Sequence, residues 1–470
     1  MEKAFKKGHT HLQWTFSLLA SITLLAYGME CGWISPTTKI LQSENSPTGY
    51  PLSDNMVSWI ASAMSMSAIF GVSLYSFIAD VCGRRIGIIL IAIPEAISWI
   101  IKLSYSSTTT LIIARLFAGL AAGGCFNIVP MYVKEISQDD LRGVLGTLPM
   151  LLQTVGLLIM YIIGAYWSYF TVVTIGLSLP IFTILILLKA PESPAFLVKR
   201  GKINEAIETV AFLRGLEKDD QIVQSIVNGM QKEEEHFKTL PNLSIVGIVK
   251  EESWRRGFIL IMFSFTFHGL NGSYAIMTYA STILISTGAK FDISPEIQTL
   301  SFPIVIIIST LALAACVEKF GRKPLLVGAY LVSACSMSAI AIMMIVQDQG
   351  VNVAGWLPVV TMMLGVAMYG AGISPLPYII MTEMFSFQIR AKVVGVVVTF
   401  AWFMTFVLVT IYTPMCNIFG QFSPFVFYGA VNFGGFIFTM IFIPETKGKS
   451  EEEILQLLTK RRGSQMQNVI

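Results

Sequence analysis

Charged residues are scarce in this chain. Asp, Glu, Lys and Arg make up only 13% of its 470 residues, whereas hydrophobic residues make up 54%. A soluble domain carries about 25% charged residues, and the mean hydropathy here is +0.68. The composition excludes soluble enzymes, soluble nucleic-acid-binding proteins and disordered chains, and it indicates a polytopic membrane protein.

Residues that carry covalent or metal chemistry are also few. The six cysteines fall in or beside apolar runs, so they predict no disulfide framework. The chain contains neither the G-x-x-x-x-G-K-[ST] pattern of nucleotide-driven pumps nor the H-E-x-x-H pattern of metalloproteases. We therefore expect a protein that is not an enzyme and that has no cofactor, no metal site and no nucleic-acid partner.

Long apolar runs dominate what is present. A bilayer core of about 30 Å needs roughly 20 apolar residues of helix, and twelve runs meet this length. They occupy residues 12–35, 56–79, 86–105, 109–133, 144–166, 169–189, 257–286, 297–317, 325–347, 355–382, 392–415 and 424–443. We predict an all-α fold of twelve transmembrane helices in two six-helix halves. The predicted domains are a cytoplasmic N-tail (1–11), the first half (12–189), a helical cytoplasmic loop (190–256), the second half (257–443) and a cytoplasmic C-tail (444–470).

Positive charge is distributed unevenly between the two sides of these spans. Of the 32 Lys and Arg residues, 28 lie on the side of the N-terminus, Arg115 lies within a span, and Lys39, Lys102 and Lys290 lie on the other side. Cytoplasmic loops of membrane proteins carry such an excess. We expect a multi-pass protein of the cell membrane with both termini in the cytoplasm.

The two halves repeat three charged motifs in the same order. The matched segments are residues 80–85 and 318–323, Glu135 with Arg142 and Glu383 with Arg390, and residues 191–193 and 444–446. Two parallel repeats of six spans are typical of a transporter whose substrate site lies between the halves.

These motifs resemble those of the sugar porter family of the major facilitator superfamily, over nearly the whole chain. The resemblance is carried by Asp80-x-x-Gly83-Arg84-Arg85, Arg115-x-x-x-Gly119-x-x-x-Gly123, Pro130 to Glu135, Pro191-Glu192-Ser193-Pro194, Glu318-x-x-Gly321-Arg322-Lys323, Pro375-Leu376-Pro377 with Glu383, and Pro444-Glu445-Thr446. Tyr27-Gly28 followed by Gly32-Trp33-x-Ser35-Pro36 is most similar to the insect trehalose and glucose facilitator branch.

The resemblance implies a monomeric secondary transporter that moves a small neutral sugar of the trehalose or hexose class through the lipid bilayer by alternating access. Facilitated transport and proton-coupled transport both remain open. Two alternatives also remain: a non-transporting sugar sensor on the same scaffold, and a transporter of a polyol or another neutral solute.

The resemblance further implies a cluster of ion pairs at the cytoplasmic ends of the spans, which can hold one state of the transport cycle. Its expected members are Asp80, Arg84, Arg85, Glu135, Arg142, Glu192, Glu318, Arg322, Lys323, Glu383, Arg390 and Glu445. Ser76 and Val81 depart from the family pattern, and this predicts a weaker lock in the first half.

Three residues within the spans are candidates for proton coupling: Glu30, Arg115 and His268. Glu30 stands where proton-coupled sugar porters carry an acid beside the Arg of the fourth span. An unpaired carboxylate in the membrane is costly, so we expect Glu30 to contact Arg115, either as a protonatable switch or as a permanent ion pair. For His268, a proton relay and a hydrogen-bonded packing role both remain open. Glu95 is expected to be neutral and hydrogen-bonded.

The family register also implies a sugar-binding set. Amides bond sugar hydroxyls, and aromatic faces stack on sugar rings. The candidates are Gln153, Asn271, Tyr274, Trp402 and Tyr378, with Met150 and Thr266 at positions where the family carries glutamine. Apolar or small residues at Ile306, Gly370 and Ala401 replace further polar positions. We therefore expect a more apolar pocket and a changed or larger substrate.

Overall fold

The computed structural model describes residues 8–104, 107–239, 245–287, 294–449, 453–454 and 457. Every regular element in this part of the chain is helical, as the sequence predicts. The N-tail up to residue 7, the loop with Lys290 and most of the C-tail lie outside the described residues.

The first six spans are built from seven helices. These are α1 (His11–Gly32), α2 (Ile34–Leu41), α3 (Asp54–Cys82), α4 (Arg84–Ser104), α5 (Thr108–Ile136), α6 (Asp139–Tyr166) and α7 (Tyr169–Leu187). Each of the six spans is long and apolar enough to cross a membrane. Ser107 begins α5 with a capping box to Thr110, which satisfies amides that the helix leaves unpaired.

The stretch between the two sets of spans is helical, as expected. It contains α8 (Pro194–Lys199), α9 (Ile203–Arg214), α10 (Gln221–Thr239) and α11 (Ile245–Lys250). The apolar sides of α8, α9 and α10 pack together through Leu197, Val210 and Val223. Burial lowers the pKa of Arg214 at the end of α9, against the opposing influence of nearby Asp139 and Asp140.

The last six spans contain several interrupted helices. The elements are α12 (Glu252–Leu270), α13 (Ser273–Thr278), α14 (Ala280–Ser286), α15 (Pro295–Gln298), α16 (Ser301–Phe320), α17 (Arg322–Asp348), α18 (Trp356–Met368), a π-helical turn (Tyr369–Ile373), α19 (Pro375–Met384), α20 (Phe387–Phe419) and α21 (Ser423–Phe442). Among the described residues, twelve helices are long and apolar enough to cross a membrane. This confirms the predicted number of spans.

The interruptions have local causes. In the seventh span, Gly272 adopts a φ of +94° between α12 and α13, a conformation that residues with a side chain rarely take. In the tenth span, Pro375 and Pro377 follow the π-helical turn, because a proline cannot donate the backbone bond that a regular helix needs at that point. The π-helical turn therefore ends where the first of these prolines begins α19.

The chain forms two compact units. Unit one comprises Met1–Glu30, Ser67–Leu157 and Ser168–Asn242, and unit two comprises Cys31–Met66, Leu158–Trp167 and Leu243–Ile470. The six-plus-six domain boundaries stay a prediction.

Candidate functional site

Glu30 is a deeply buried carboxylate in the last turn of α1. It is 1% exposed, and Arg115 on α5 is 2% exposed. The Nη1 atom of Arg115 donates to Glu30 Oε2 at 3.2 Å and to the Glu30 main-chain oxygen at 2.6 Å. The expected contact between the two residues is present, whereas their part in proton coupling stays a prediction.

The structure corrects the position of Lys102. The charge count assigns this residue to an external loop, but it lies in the last turn of α4 and is fully buried. Its Nζ donates to Glu30 Oε2 at 2.5 Å and sits 3.9 Å from the centre of the Trp99 ring. Ser98 donates to the other carboxylate oxygen, Glu30 Oε1, at 2.9 Å. Three side chains therefore bind this carboxylate, where the sequence predicts one.

A sequence signal for these partners exists in α4. Glu95, Ser98 and Lys102 are spaced by three and four residues, which places them along one face of a helix. A polar stripe inside an apolar span points toward protein and not toward lipid. The spacing of these polar residues therefore indicates that Ser98 and Lys102 face other helices of the protein, which the charge of Lys102 alone does not indicate.

Close backbone packing brings α1 against α6 within unit one. At Gly28 a side chain would collide with the backbone of Gln153, and at Gly156 it would collide with the backbone of Leu25. These two glycines allow the helices to approach closely, as small residues do in membrane helix pairs. Of the two α6 candidates for substrate binding, Gln153 is half-buried and Met150 is exposed.

Glu95 differs from Glu30 in its surroundings. It is 1% exposed, and its Oε1 accepts a weak bond from the Cys125 thiol at 3.7 Å. Its Oε2 has no hydrogen-bond partner among the described residues. An ionised carboxylate without a partner is strongly disfavoured in such a place. The expectation of a neutral, hydrogen-bonded Glu95 therefore agrees with these contacts.

His268 in unit two lies among aromatic rings. Its ring centre is 5.4 Å from that of Phe265, 6.0 Å from Tyr369 and 5.9 Å from Tyr378. Its Nδ1 is 2.9 Å from the main-chain oxygen of Ile373, at the end of the π-helical turn. These contacts are those of a packed, hydrogen-bonded histidine, and a proton relay through His268 stays a prediction.

Asn271 stabilises the break in the seventh span. Its Nδ2 donates to the main-chain oxygen of His268 at 2.8 Å, and its Oδ1 accepts from the main-chain N–H of Ser273 at 2.6 Å. Asn432 on α21, a residue that the sequence reasoning missed, donates to the Asn271 main-chain oxygen at 2.9 Å. Asn271 is 1% exposed and both polar atoms of its side chain bond the main chain, so its part in sugar binding stays a prediction.

The other candidates of unit two differ in exposure. Tyr274, Tyr378 and Thr266 are half-buried, and Trp402 is 7% exposed. The Tyr378 ring packs edge-on against Phe265, with centres 4.8 Å apart, and the Tyr274 hydroxyl is 3.5 Å from the Cys31 sulfur. Near the π-helical turn, Gly370 lies so close to α16 that a side chain would collide with Ser309. The space that a polar side chain would need at position 370 is therefore filled by helix packing.

The first-half charge motif forms a compact cluster at the start of α4. Arg84 Nε and Nη2 donate to the two oxygens of Glu135 at 2.9 and 3.1 Å, and Ser193 donates to Glu135 Oε2. Glu192 Oε1 accepts from the main-chain N–H groups of Arg84 and Arg85 at 2.9 and 3.0 Å. A carboxylate there satisfies the free amides at the helix start and lies favourably in the helix dipole.

The second-half motif repeats this arrangement at the start of α17. Arg322 Nη2 lies 2.9 Å from Glu383 Oε1 and donates to Glu318 at 2.8 Å. Glu445 accepts from the main-chain N–H groups of Arg322 and Lys323 at 3.1 and 3.0 Å. Burial raises the pKa of Glu445, but these bonds and that from Lys447 lower it more, so its pKa lies below the usual value.

Several expected members take other partners. Asp80 pairs with Lys199 on α8 at 2.9 Å, and Arg142 pairs with Asp139 at 2.6 Å. Arg85 Nη1 donates to the Ala190 main-chain oxygen, and Arg390 Nε donates to that of Phe385. These four residues therefore bond neighbours outside the repeated motifs, and their membership of an ion-pair cluster within each half stays a prediction.

Among the described residues, no group of three or more His, Cys, Asp or Glu side chains could hold a metal ion.

The sequence is similar to those of known transporters over most of its length. A family model described as sugar (and other) transporter matches residues 16–458. The facilitated trehalose transporter Tret1 of Apis mellifera ligustica is 26% identical over 449 residues, covering 94% of this chain and 88% of that protein. Tret1 of Culex quinquefasciatus is 25% identical over 441 residues, covering 93% and 84%.

Solved structures share the fold. The inward open xylose transporter XylE from E. coli has a TM-score of 0.77 at 20% identity and covers 95% of this chain and 99% of its own. The proton:xylose symporter XylE bound to 6-bromo-6-deoxy-D-glucose has a TM-score of 0.75 at 22% identity, with the same coverage. With the family match over nearly the whole chain, these findings establish that the protein is a multi-pass membrane protein of the sugar (and other) transporter family, with the major facilitator fold.

Proposed function

We propose that this protein is a secondary transporter of a small neutral sugar, of the trehalose or hexose class, in the cell membrane with both termini cytoplasmic. The observation that carries the proposal is the match to the transporter family model over residues 16–458. The similarity to facilitated trehalose transporters over 93–94% of this chain supports the choice of sugar class. Alternating access is the mechanism that the fold implies.

The side chains of unit two support a sugar as the substrate. Tyr274, Tyr378 and Thr266 are half-buried and carry hydroxyl groups, and Tyr378 also offers an aromatic face. Such a set can bond the hydroxyls of a sugar and stack on its ring. Asn271 fixes the break in the seventh span through its two bonds to the main chain.

Uptake into proteoliposomes tests the proposal. Radiolabelled trehalose, glucose and fructose, with a polyol for comparison, are supplied to vesicles with purified protein and to empty vesicles. We expect saturable uptake of at least one sugar. Tyr378→Ala should raise KM, whereas Tyr166→Ala, which changes an exposed tyrosine, should not. Saturable uptake of the polyol alone would indicate another neutral solute, and sugar binding without uptake would indicate a sensor.

A further inference from the structure

Asn432 lies on α21, in the twelfth span, and none of its surface is exposed. Its side-chain nitrogen Nδ2 donates to the main-chain oxygen of Tyr428 at 2.7 Å and to that of Asn271 at 2.9 Å. An amide nitrogen carries two hydrogens, so each acceptor can receive one of them. The bond to Tyr428, one turn earlier on the same helix, orients the amide, and the bond to Asn271 reaches the break in the seventh span.

The acceptor of that second bond is a carbonyl group that the break leaves in need of a partner. Asn271 follows the last residue of α12, and the last carbonyl groups of a helix have no partner within that helix. The residue is 1% exposed. A buried carbonyl group without a hydrogen bond is costly, above all within a membrane span. The Asn432 amide therefore stabilises the end of α12 where it is interrupted.

A second residue of α21 contacts the same break. A side chain at Gly272 would collide with the ring of Tyr428, so this ring lies directly against the Gly272 backbone. Gly272 has the positive φ with which the chain passes from α12 into α13. The twelfth span thus contacts both residues of the break, Asn271 by a hydrogen bond and Gly272 by packing.

The shape of the break determines where α13 points. Asn271 Oδ1 accepts from the main-chain N–H of Ser273, the first residue of α13, at 2.6 Å. Tyr274 is the next residue, and it is a half-buried candidate for sugar binding. Because Tyr274 lies in the first turn after the break, a change in the break displaces its side chain directly.

We propose that Asn432 is a positioning residue for transport, which holds the break in the seventh span in the shape that presents Tyr274 to the sugar. Asn432 is fully buried and acts through the main chain of Asn271. All the residues involved belong to unit two. This inference rests on the proposed function and adds to it a residue of the twelfth span that controls the apparent affinity for the sugar.

Uptake into proteoliposomes tests this role, with whichever radiolabelled sugar (trehalose, glucose or fructose) the unchanged protein takes up. Asn432→Leu keeps a branched side chain and removes both hydrogen bonds. We expect KM to rise by about fivefold, the size of effect that the loss of one hydrogen bond has, with little change in Vmax per folded transporter. A variant that only folds less well would lower Vmax and leave KM unchanged.

A double-mutant cycle identifies the residue through which Asn432 acts. Tyr274→Phe removes the tyrosine hydroxyl and should raise KM by itself. In the Asn432→Leu background it should add little, because Tyr274 is already displaced from the sugar. Strictly additive effects on KM would overturn the inference, since they would mean that the two residues act independently.

Hydrogen–deuterium exchange in detergent gives a measurement that needs no sugar. The amides of residues 273–278 should exchange about fivefold faster or more in Asn432→Leu, because local opening of α13 becomes easier. Thr439→Val is the matched control, since it removes a buried hydroxyl from the same helix about 10 Å further along. It should change neither KM nor this exchange, whereas a general loosening of α21 would change both in the two variants.

The outcomes distinguish the two proposals. Absence of sugar uptake by the unchanged protein would overturn the proposed function, and exchange at residues 273–278 would still show whether Asn432 holds the break. An unchanged KM in Asn432→Leu, with uptake by both proteins, would overturn the inference and leave the proposed function standing. If Asn432→Leu does not reach the membrane, Asn432→Ser replaces it. A serine hydroxyl bonds the carbonyl one turn back on its own helix, so this variant also loses the bond to Asn271.

Discussion

The charge motif after the second span and the one after the eighth each join helices of their own unit, but with different bonds. In unit one, Arg84 binds both oxygens of Glu135, and Ser193 binds the same carboxylate. In unit two, Arg322 binds one oxygen of Glu383 and shares its charge with Glu318. Glu383 Oε2 and the Thr446 hydroxyl have no partner in the described chain.

This difference bears on the weaker first-half lock that the sequence predicts, and that lock stays a prediction. The departures at Ser76 and Val81 predict a weaker lock in the first half, and Asp80 does bond outside the motif, to Lys199. The central Arg84–Glu135 pair is nevertheless the better satisfied one, because a bidentate ion pair with a third donor leaves fewer buried atoms unpaired. The central ion pair of a motif can therefore be fully hydrogen-bonded even where neighbouring residues depart from the family pattern.

What the two motifs share follows from one backbone requirement. Gly83 and Gly321 have φ of +103° and +91°, and a side chain at either position would collide with Glu192 or Glu445. Only glycine combines that conformation with room for the carboxylate. Each glycine lets the chain turn directly into the next helix, whose first amides the carboxylate then binds.

The largest expected effect comes from neutralising the central carboxylates. Glu135→Gln should lower the stability of unit one by about 2 kcal/mol, because it leaves the nearly buried Arg84 without a counter-charge. Glu383→Gln should cost about half as much, since Arg322 retains Glu318. Apparent melting temperature in detergent, measured by size-exclusion fluorescence, gives the ranking. An equal or larger loss in Glu383→Gln would refute the difference between the two motifs.

A smaller effect is expected at Ser193 and Thr446, the hydroxyl residues that follow Glu192 and Glu445 in the two motifs. Ser193→Ala removes the bond to Glu135 and the cap on the Phe196 N–H at the start of α8, and it should cost about 1 kcal/mol. Thr446→Ala is the matched change in unit two. Because its hydroxyl has no partner among the described residues, the cost should be near zero. Equal melting temperatures for the two variants would contradict this assignment.

The sequence predicts the spans well and the side-chain partners less well. Hydropathy and length determine where helices such as α7 and α21 must lie, so all twelve spans are found in the described chain. Partners depend on which helix faces meet. Lys102 reads as an external charge at the end of a span, yet it pairs with Glu30 from another helix. Only tertiary packing decides between those two fates.

The same limit applies to the candidate substrate residues. The family register indicates Asn271 as a candidate, but it does not predict the hydrogen bonds of this side chain to the backbone of His268 and Ser273. These bonds form at the break that the positive φ of Gly272 makes in the helix. It also misses Asn432, whose amide bonds the carbonyl at the same break. A local pattern can therefore indicate a polar site in a span without revealing how much of its hydrogen bonding the fold already uses.

The smallest effect is expected at the first acid of each motif, where both side chains are largely exposed. Asp80 bonds Lys199 on α8, whereas Glu318 bonds Arg322 within its own motif. Exposed ion pairs contribute about 0–1 kcal/mol and are screened by salt. Asp80→Asn should therefore change the melting temperature little, and the change should vanish at high salt.

Glu318→Gln should have a larger effect in the Glu383→Gln background than alone, since Arg322 then loses its last carboxylate. A double-mutant cycle measures this coupling, and strictly additive effects would mean that Arg322 does not share its charge between the two acids.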